Sequence, residues 1–175
     1  MYRKELEAAL NAAKFPNYFL LYGADEYQIE LFAKEILAKF KDFEILSLYY
    51  DDYDFDAARA HLCEPSLFGG SPLLHVKSNK KIPAKELKIL IDGCKNGGAF
   101  VFELFESDAK AVFDTQKAFG TNFARFFKPS NPDEAINLLA KNSAKIGLNI
   151  TKNALYELYF THNENLYLAA SELTK

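Results

Sequence analysis

At 175 residues, 49% of them hydrophobic and 26% charged, the chain has the makeup of one globular domain with a full core and room for part of a second. A net charge of −3 and a pI near 5.7 argue against a nucleic-acid binder that uses its whole surface, while leaving a local basic face possible. No apolar run is long enough for a membrane span, the opening Met1-Tyr2-Arg3-Lys4 is not a signal peptide, and Cys63 and Cys94 fit no metal-ligand spacing. Reduced thiols in a cytoplasmic protein with no membrane partner are the expectation.

Arg3 to Lys14 reads as a short amphipathic helix that Pro16 ends, with Leu6, Ala9, Leu10 and Ala13 on one face. Tyr18 to Tyr22 is a continuous apolar run, as a parallel strand buried on both faces requires. Asp25 can cap the next helix, whose apolar stripe is Ile29, Phe32, Ala33, Ile36 and Leu37. Phe43 to Tyr50 is a second strand, and Asp54 caps a helix from Phe55 to about Cys63 that Pro65 stops. A third strand runs from Leu73 to Lys77. Pro83 opens a helix that Asn96-Gly97-Gly98 closes through a left-handed cap. Ala99 to Phe105 is a fourth strand, Asp108 to Ala118 a helix, and Asn122 to Phe127 a fifth strand. Such alternation predicts a three-layer α/β domain with a mainly parallel five-stranded sheet over residues 1–128. After the hinge Lys128-Pro129-Ser130-Asn131-Pro132 only helical periodicity remains, with Asn163 or Asn165 opening the last helix, so 132–175 is a small helical domain. The pattern stops at Lys175 without a cap, and a longer polypeptide is expected.

The stretch YFLLYGADEYQIE, Tyr18 to Glu30, lays out a strand, a glycine turn and a helix start where a P-loop would sit. A Walker A loop needs a second Gly, a Lys and a hydroxyl at fixed offsets, to wrap phosphates, neutralise them and hold magnesium. Counted from Gly23, those places hold Gln28, Ile29 and Glu30. Asp25, Glu26 and Glu30 would bring carboxylates toward a triphosphate, which repels it. The end of the third strand carries His75-Val76-Lys77-Ser78 where acidic metal ligands would be needed, and the fourth ends in Phe105-Glu106-Ser107-Asp108 without a polar amide. Two missing motifs argue for loss rather than divergence. The expectation is a nucleotide-binding architecture with no nucleotide site and no cofactor.

An α/β domain with such a loop, followed by a helical lid, has the layout of an AAA+ module. Tyr22-Gly23-Ala24-Asp25-Glu26, Ser66-Leu67-Phe68-Gly69 and His162-Asn163-Glu164-Asn165-Leu166, with Ala169, Glu172 and Leu173, together resemble the delta subunit of the bacterial DNA polymerase III clamp loader. The resemblance spans nearly the whole chain but only the first part of that family's length, and a helical collar domain would follow Lys175. It implies a non-catalytic subunit of the polymerase III holoenzyme that binds and opens the sliding clamp (the beta subunit) for loading onto primed DNA, without binding ATP. It also implies contacts with the gamma/tau and delta prime subunits through the collar. In that family a Leu-Phe pair at the tip of the α/β domain enters an apolar pocket on the clamp, and the matching residues here are Leu67 and Phe68, flanked by Ser66 and Gly69. The same Phe68 could instead tuck beneath its loop into the core, and the residues alone leave both readings open.

Lys80, Lys81, Lys85 and Lys88 put positive charge ahead of and along one helix, with Lys81, Lys85 and Lys88 at helical spacing. Read as function they face an acidic partner, or a DNA backbone in the complex that they hold without reading sequence. Read plainly they are a solvated face of a lysine-rich protein. His61, His75 and His162 show no metal-site spacing, and no nucleophile turn is present. The rival functions are an AAA+-type P-loop NTPase with an atypical site, which Gln28, Ile29 and Glu30 oppose, and a receiver-like module, which Lys77 at a strand end opposes.

Overall fold

A computed structural model of the chain describes residues 1–64 and 69–175. Those residues divide into two compact units, Met1–Phe127 and Lys128–Lys175.

In the first unit the apolar runs become a five-stranded, all-parallel sheet. Its strands are β1 (Tyr18–Gly23), β2 (Glu44–Tyr49), β3 (Pro72–Ser78), β4 (Ala99–Leu104) and β5 (Phe123–Phe126), in the spatial order β2-β3-β4-β1-β5. β1 and β4 are apolar nearly throughout because they lie in the middle, covered on both faces. On one face α3 (Phe55–Cys63), α4 (Ala84–Gly93) and α5 (Ala109–Phe119) close a core containing Leu20, Leu74, Phe100, Phe102 and Phe119. On the other, α1 (Arg3–Leu10) and α2 (Glu26–Leu37) cover Phe19, Leu21, Val101 and Phe126. This is the three-layer α/β architecture expected from the alternation of elements. α2 lies over β1 and β4, so this layer stops short of the β2 edge, where Ile45 is 54% and Tyr49 43% exposed.

The caps follow the sequence. Asp54 accepts from the Ala57 N–H at 2.7 Å and Asp108 from the Lys110 N–H at 2.9 Å. Gly97 closes the turn after α4 with φ of +93°. α1 departs from expectation: it ends at Leu10, not Lys14. The Asn11 side chain donates to the Glu7 carbonyl at 2.9 Å, and Ala13 is exposed, so no burial favours another turn.

The second unit holds α6 (Pro132–Lys145), α7 (Lys152–Thr161) and α8 (Leu166–Glu172), packed on one another in all three pairings. Asn131 caps α6 by accepting from the Glu134 N–H at 2.9 Å, Pro132 takes the first helical position, and the Glu134 carboxylate reaches back to the Ser130 N–H at 3.0 Å. Between α7 and α8, Asn163 and Glu164 are both left-handed, and Asn165 caps α8.

Candidate functional site

The start of α2 is where this fold would receive a phosphate, because unpaired N–H groups and the helix dipole converge there. Only Ala24 and Asp25 separate β1 from α2, too few residues to wrap a phosphate chain. Gly23 has φ of +143°, and a Cβ on it would stand 2.0 Å from the Phe126 carbonyl oxygen, so the turn is pressed against β5. The carboxylate of Asp25, 6% exposed, lies across the helix start. One oxygen accepts from the Gln28 N–H at 3.0 Å and the other from Gln28 Nε2 at 2.8 Å. The same Nε2 donates to the Phe127 carbonyl at 3.0 Å.

The remaining loop positions are equally committed. Ile29, at the lysine position of a P-loop, is fully buried under the sheet and supplies no charge. Glu30, at the hydroxyl position, is ion-paired with Lys77, the residue at the metal-ligand position of β3. The Lys77 ammonium is held above its usual range although burial works against it: the Glu30 hydrogen bond and the charges of Glu103 and Glu30 prevail. A bound nucleotide with its magnesium is what such a fold implies. These residues do not fit it, since a carboxylate occupies the anion position and a cation the metal position.

Next to this pair lies a cavity of about 220 Å³ between α2 and the open β2 edge, with Glu30, Leu37, Ile45, Tyr49, His75 and Glu103 among its walls. Register brings its floor together: Ser47 sits opposite His75, and Lys77 opposite Glu103. His75 Nε2 is 2.6 Å from Glu103 Oε1, and its Nδ1 is 3.4 Å from the Ser47 hydroxyl. Both His75 and Glu103 are buried, at 6% and 2% exposure. Glu103 Oε2 is buried with no hydrogen-bond partner among the described residues. The sequence reading missed this network. Its signal was present: a lone carboxylate inside Ala99-Phe100-Val101-Phe102-Glu103-Leu104 must find a partner or a purpose.

Of the expected clamp-contacting residues, Ser66, Leu67 and Phe68 lie outside the described residues. Gly69 is described, in a left-handed conformation with φ of +76°. Lys85 and Lys88 are on α4, while Lys81 precedes it, and all three are exposed. Among the described residues no group of three or more His, Cys, Asp or Glu side chains could hold a metal, and no helix is long and apolar enough to cross a membrane.

A family model, HP_1247_M, described as a middle domain, matches residues 131–175. Two proteins of Helicobacter pylori, from strains ATCC 700392 / 26695 and J99 / ATCC 700824, are 28% and 26% identical to the chain over its whole length. The chain spans 58% of the length of each. Among solved structures, the Bacillus subtilis DNA clamp loader delta protein (YqeN) superposes with a TM-score of 0.65 at 17% identity, covering 98% of this chain and 56% of that one. Domain III of the Thermotoga maritima replication initiation protein DnaA gives 0.55 at 12% identity, covering 98% and 81%. The Aeropyrum pernix ORC2 protein, solved as ADPNP-ADP complexes, gives 0.53 at 14%, covering 98% and 61%. The likeness is one of fold, shared with all three structures.

Proposed function

We propose that the chain is a clamp-loader subunit that binds and opens the sliding clamp during DNA replication, without binding ATP itself. What supports this most is the start of α2. In a fold shared with nucleotide-bound ORC2, the phosphate position is closed by the chain's own Asp25 and Gln28. A fold that keeps its architecture but fills its ligand position is suited to gripping a partner, and the likeness to a clamp loader delta protein points to the clamp. Leu67 and Phe68 would supply the grip, each burying apolar surface worth roughly 1.5–3 kcal/mol before association costs. Ser66, Gly69 and Gly70 would let both side chains project from one tight turn. To open a ring, the subunit must bind the open form better than the closed one, so α3, next to this turn, would add contacts. Lys81, Lys85 and Lys88 would lie along the phosphates of primed DNA inside the assembled loader.

The test is calorimetric titration of the chain with the sliding clamp of the same organism. Wild type and the Leu67→Ala/Phe68→Ala double variant run side by side, with ATP and magnesium as a separate titrant. Saturable clamp binding lost in the double variant, with no heat from ATP, is the expected result. Absence of clamp binding by folded wild type overturns the proposal, and ATP heat in its place favours the rival reading of an NTPase.

A further inference from the structure

The cavity between α2 and β2 takes no part in the clamp contact proposed above. It nevertheless has features that packing alone leaves unexplained. A carboxylate in a sheet core is costly unless both oxygens find donors. Glu103 has one oxygen on His75, whereas Oε2 has no donor among the described residues. This buried side chain lines an open cavity rather than a closed core.

The rim is aromatic. Tyr49, 43% exposed, packs edge-on against His75 with ring centroids 5.4 Å apart. Tyr50, 44% exposed, stacks on Phe105 at 6.2 Å. Tyr50 has φ of +51°, a conformation that costs a bulky residue energy and that surrounding structure has to impose. Leu37 and Ile45 add apolar wall on the side toward the start of β2.

Charge is distributed unevenly along the cleft. Its end at the C-termini of the strands feels three carboxylates, Glu26, Glu30 and Glu103, against one ammonium, Lys77, and Lys77 is already paired with Glu30. The Tyr50 pKa is raised first by burial, with Lys77 pulling it down and those three carboxylates pushing it up. Lys34, one turn beyond Glu30 on α2, is exposed and lines the opposite part of the cleft. A free anion would meet the carboxylates. A cavity of about 220 Å³ is also small beside the roughly 300–1,000 Å³ of ordinary ligand pockets.

We propose that this cleft is a docking site for a basic side chain, an arginine above all, presented by a protein partner along the open β2 edge. The guanidinium seats against Glu103 and Glu30 beside the faces of Tyr49 and Tyr50, while its methylene stem lies on Leu37 and Ile45. Arginine fits better than lysine because its planar fork can donate to two carboxylates and stack on tyrosine at once, and it sheds water more readily. A buried ionic contact ringed by tyrosine has the makeup of an interface hot spot.

The probe is N-acetyl-arginine amide, titrated into the chain while the ring resonances of Tyr49, Tyr50 and His75 are followed by NMR, with N-acetyl-citrulline amide as the neutral isostere. Saturable shifts at those three rings with the arginine probe, in the millimolar range expected of one side chain, and none with citrulline are the expected result. Glu103→Gln and Glu30→Gln, each verified as folded, should weaken binding roughly tenfold apiece. Because Glu30 is less deeply buried than Glu103, its variant keeps the test intact if Glu103→Gln fails to fold. Unmoved rings with folded wild type, equal binding of citrulline, or unchanged affinity in a folded Glu→Gln variant would each overturn the proposal. Loss of clamp binding in the Leu67→Ala/Phe68→Ala variant leaves this titration unchanged, so the two readings fail separately.

Discussion

α2 meets its surroundings differently at its start and in its middle. At the start, a buried carboxylate has both oxygens occupied, by the Gln28 N–H and Gln28 Nε2, and the donor is shared onward with Phe127. One to two turns on, Glu30 and Lys77 neutralise one another, yet behind them Glu103 keeps an oxygen with no partner and an open cavity beside it. A buried carboxylate is tolerated when the chain's own donors satisfy both of its oxygens. The Asp25 carboxylate at the start meets that condition, and Glu103 further along does not. The difference separates a helix start closed by its own Asp25 and Gln28 from a cleft whose Glu103 keeps an oxygen unpartnered among the described residues.

The strongest way to break the first region is at Gly23. A Cβ there collides with the Phe126 carbonyl at 2.0 Å, and the backbone cannot yield without parting β1 from β5. Gly23→Ala is expected to cost about 4 kcal/mol, in the range where strain and steric overlap act together. Denaturant unfolding measures this, and a loss below about 1 kcal/mol would mean that the turn relaxes and is no fixed platform.

In the second region the matching break is Glu103→Ala, which strands His75 in the sheet. A loss of about 3 kcal/mol is expected. The informative comparison is the double variant Glu103→Leu/His75→Leu, where two apolar side chains replace the buried pair. It should recover most of the loss if the pair contributes little to stability, as a group retained for binding would. A double variant no better than Glu103→Ala would make the pair structural and remove the contrast between the two parts of α2.

Much of this contrast was legible before any coordinates. Gln28, Ile29 and Glu30 stand where phosphate chemistry needs Gly, Lys and a hydroxyl, so the departure from a P-loop is read by counting. The Asp25, Asp54 and Asp108 caps and the alternation of elements follow from local chemistry, because each rests on neighbours within a few residues. The Glu30–Lys77 pair, 47 residues apart, and the His75–Glu103 pair, 28 apart, do not. They depend on which strands become neighbours and on the sheet register, both set by long-range packing. The helical spacing drawn through Lys81, Lys85 and Lys88 also overreached, since α4 begins only at Ala84. Its actual start is fixed by the restricted backbone of Pro83, which no charge pattern reports.

The smallest expected effect concerns Tyr27, in the first turn of α2. Its hydroxyl is buried and has no partner among the described residues. Its pKa is pushed up to about 12, first by burial and then by the Asp25 carboxylate. The folded state therefore holds this proton more tightly than the unfolded state, whose tyrosine titrates near 10. The contribution to stability is complete below about pH 10 and is lost as pH rises from there through about 12. Tyr27→Phe removes that proton and the unpaired hydroxyl together. Unfolding midpoints should match wild type within about 1 kcal/mol at neutral pH, and the variant should lose less stability than wild type between pH 10 and 12. Parallel alkaline curves for the two proteins would mean that this hydroxyl does reach water or a partner. The start of α2 would then be a more open place than Asp25 and Gln28 make it, and less distinct from the cleft further along the helix.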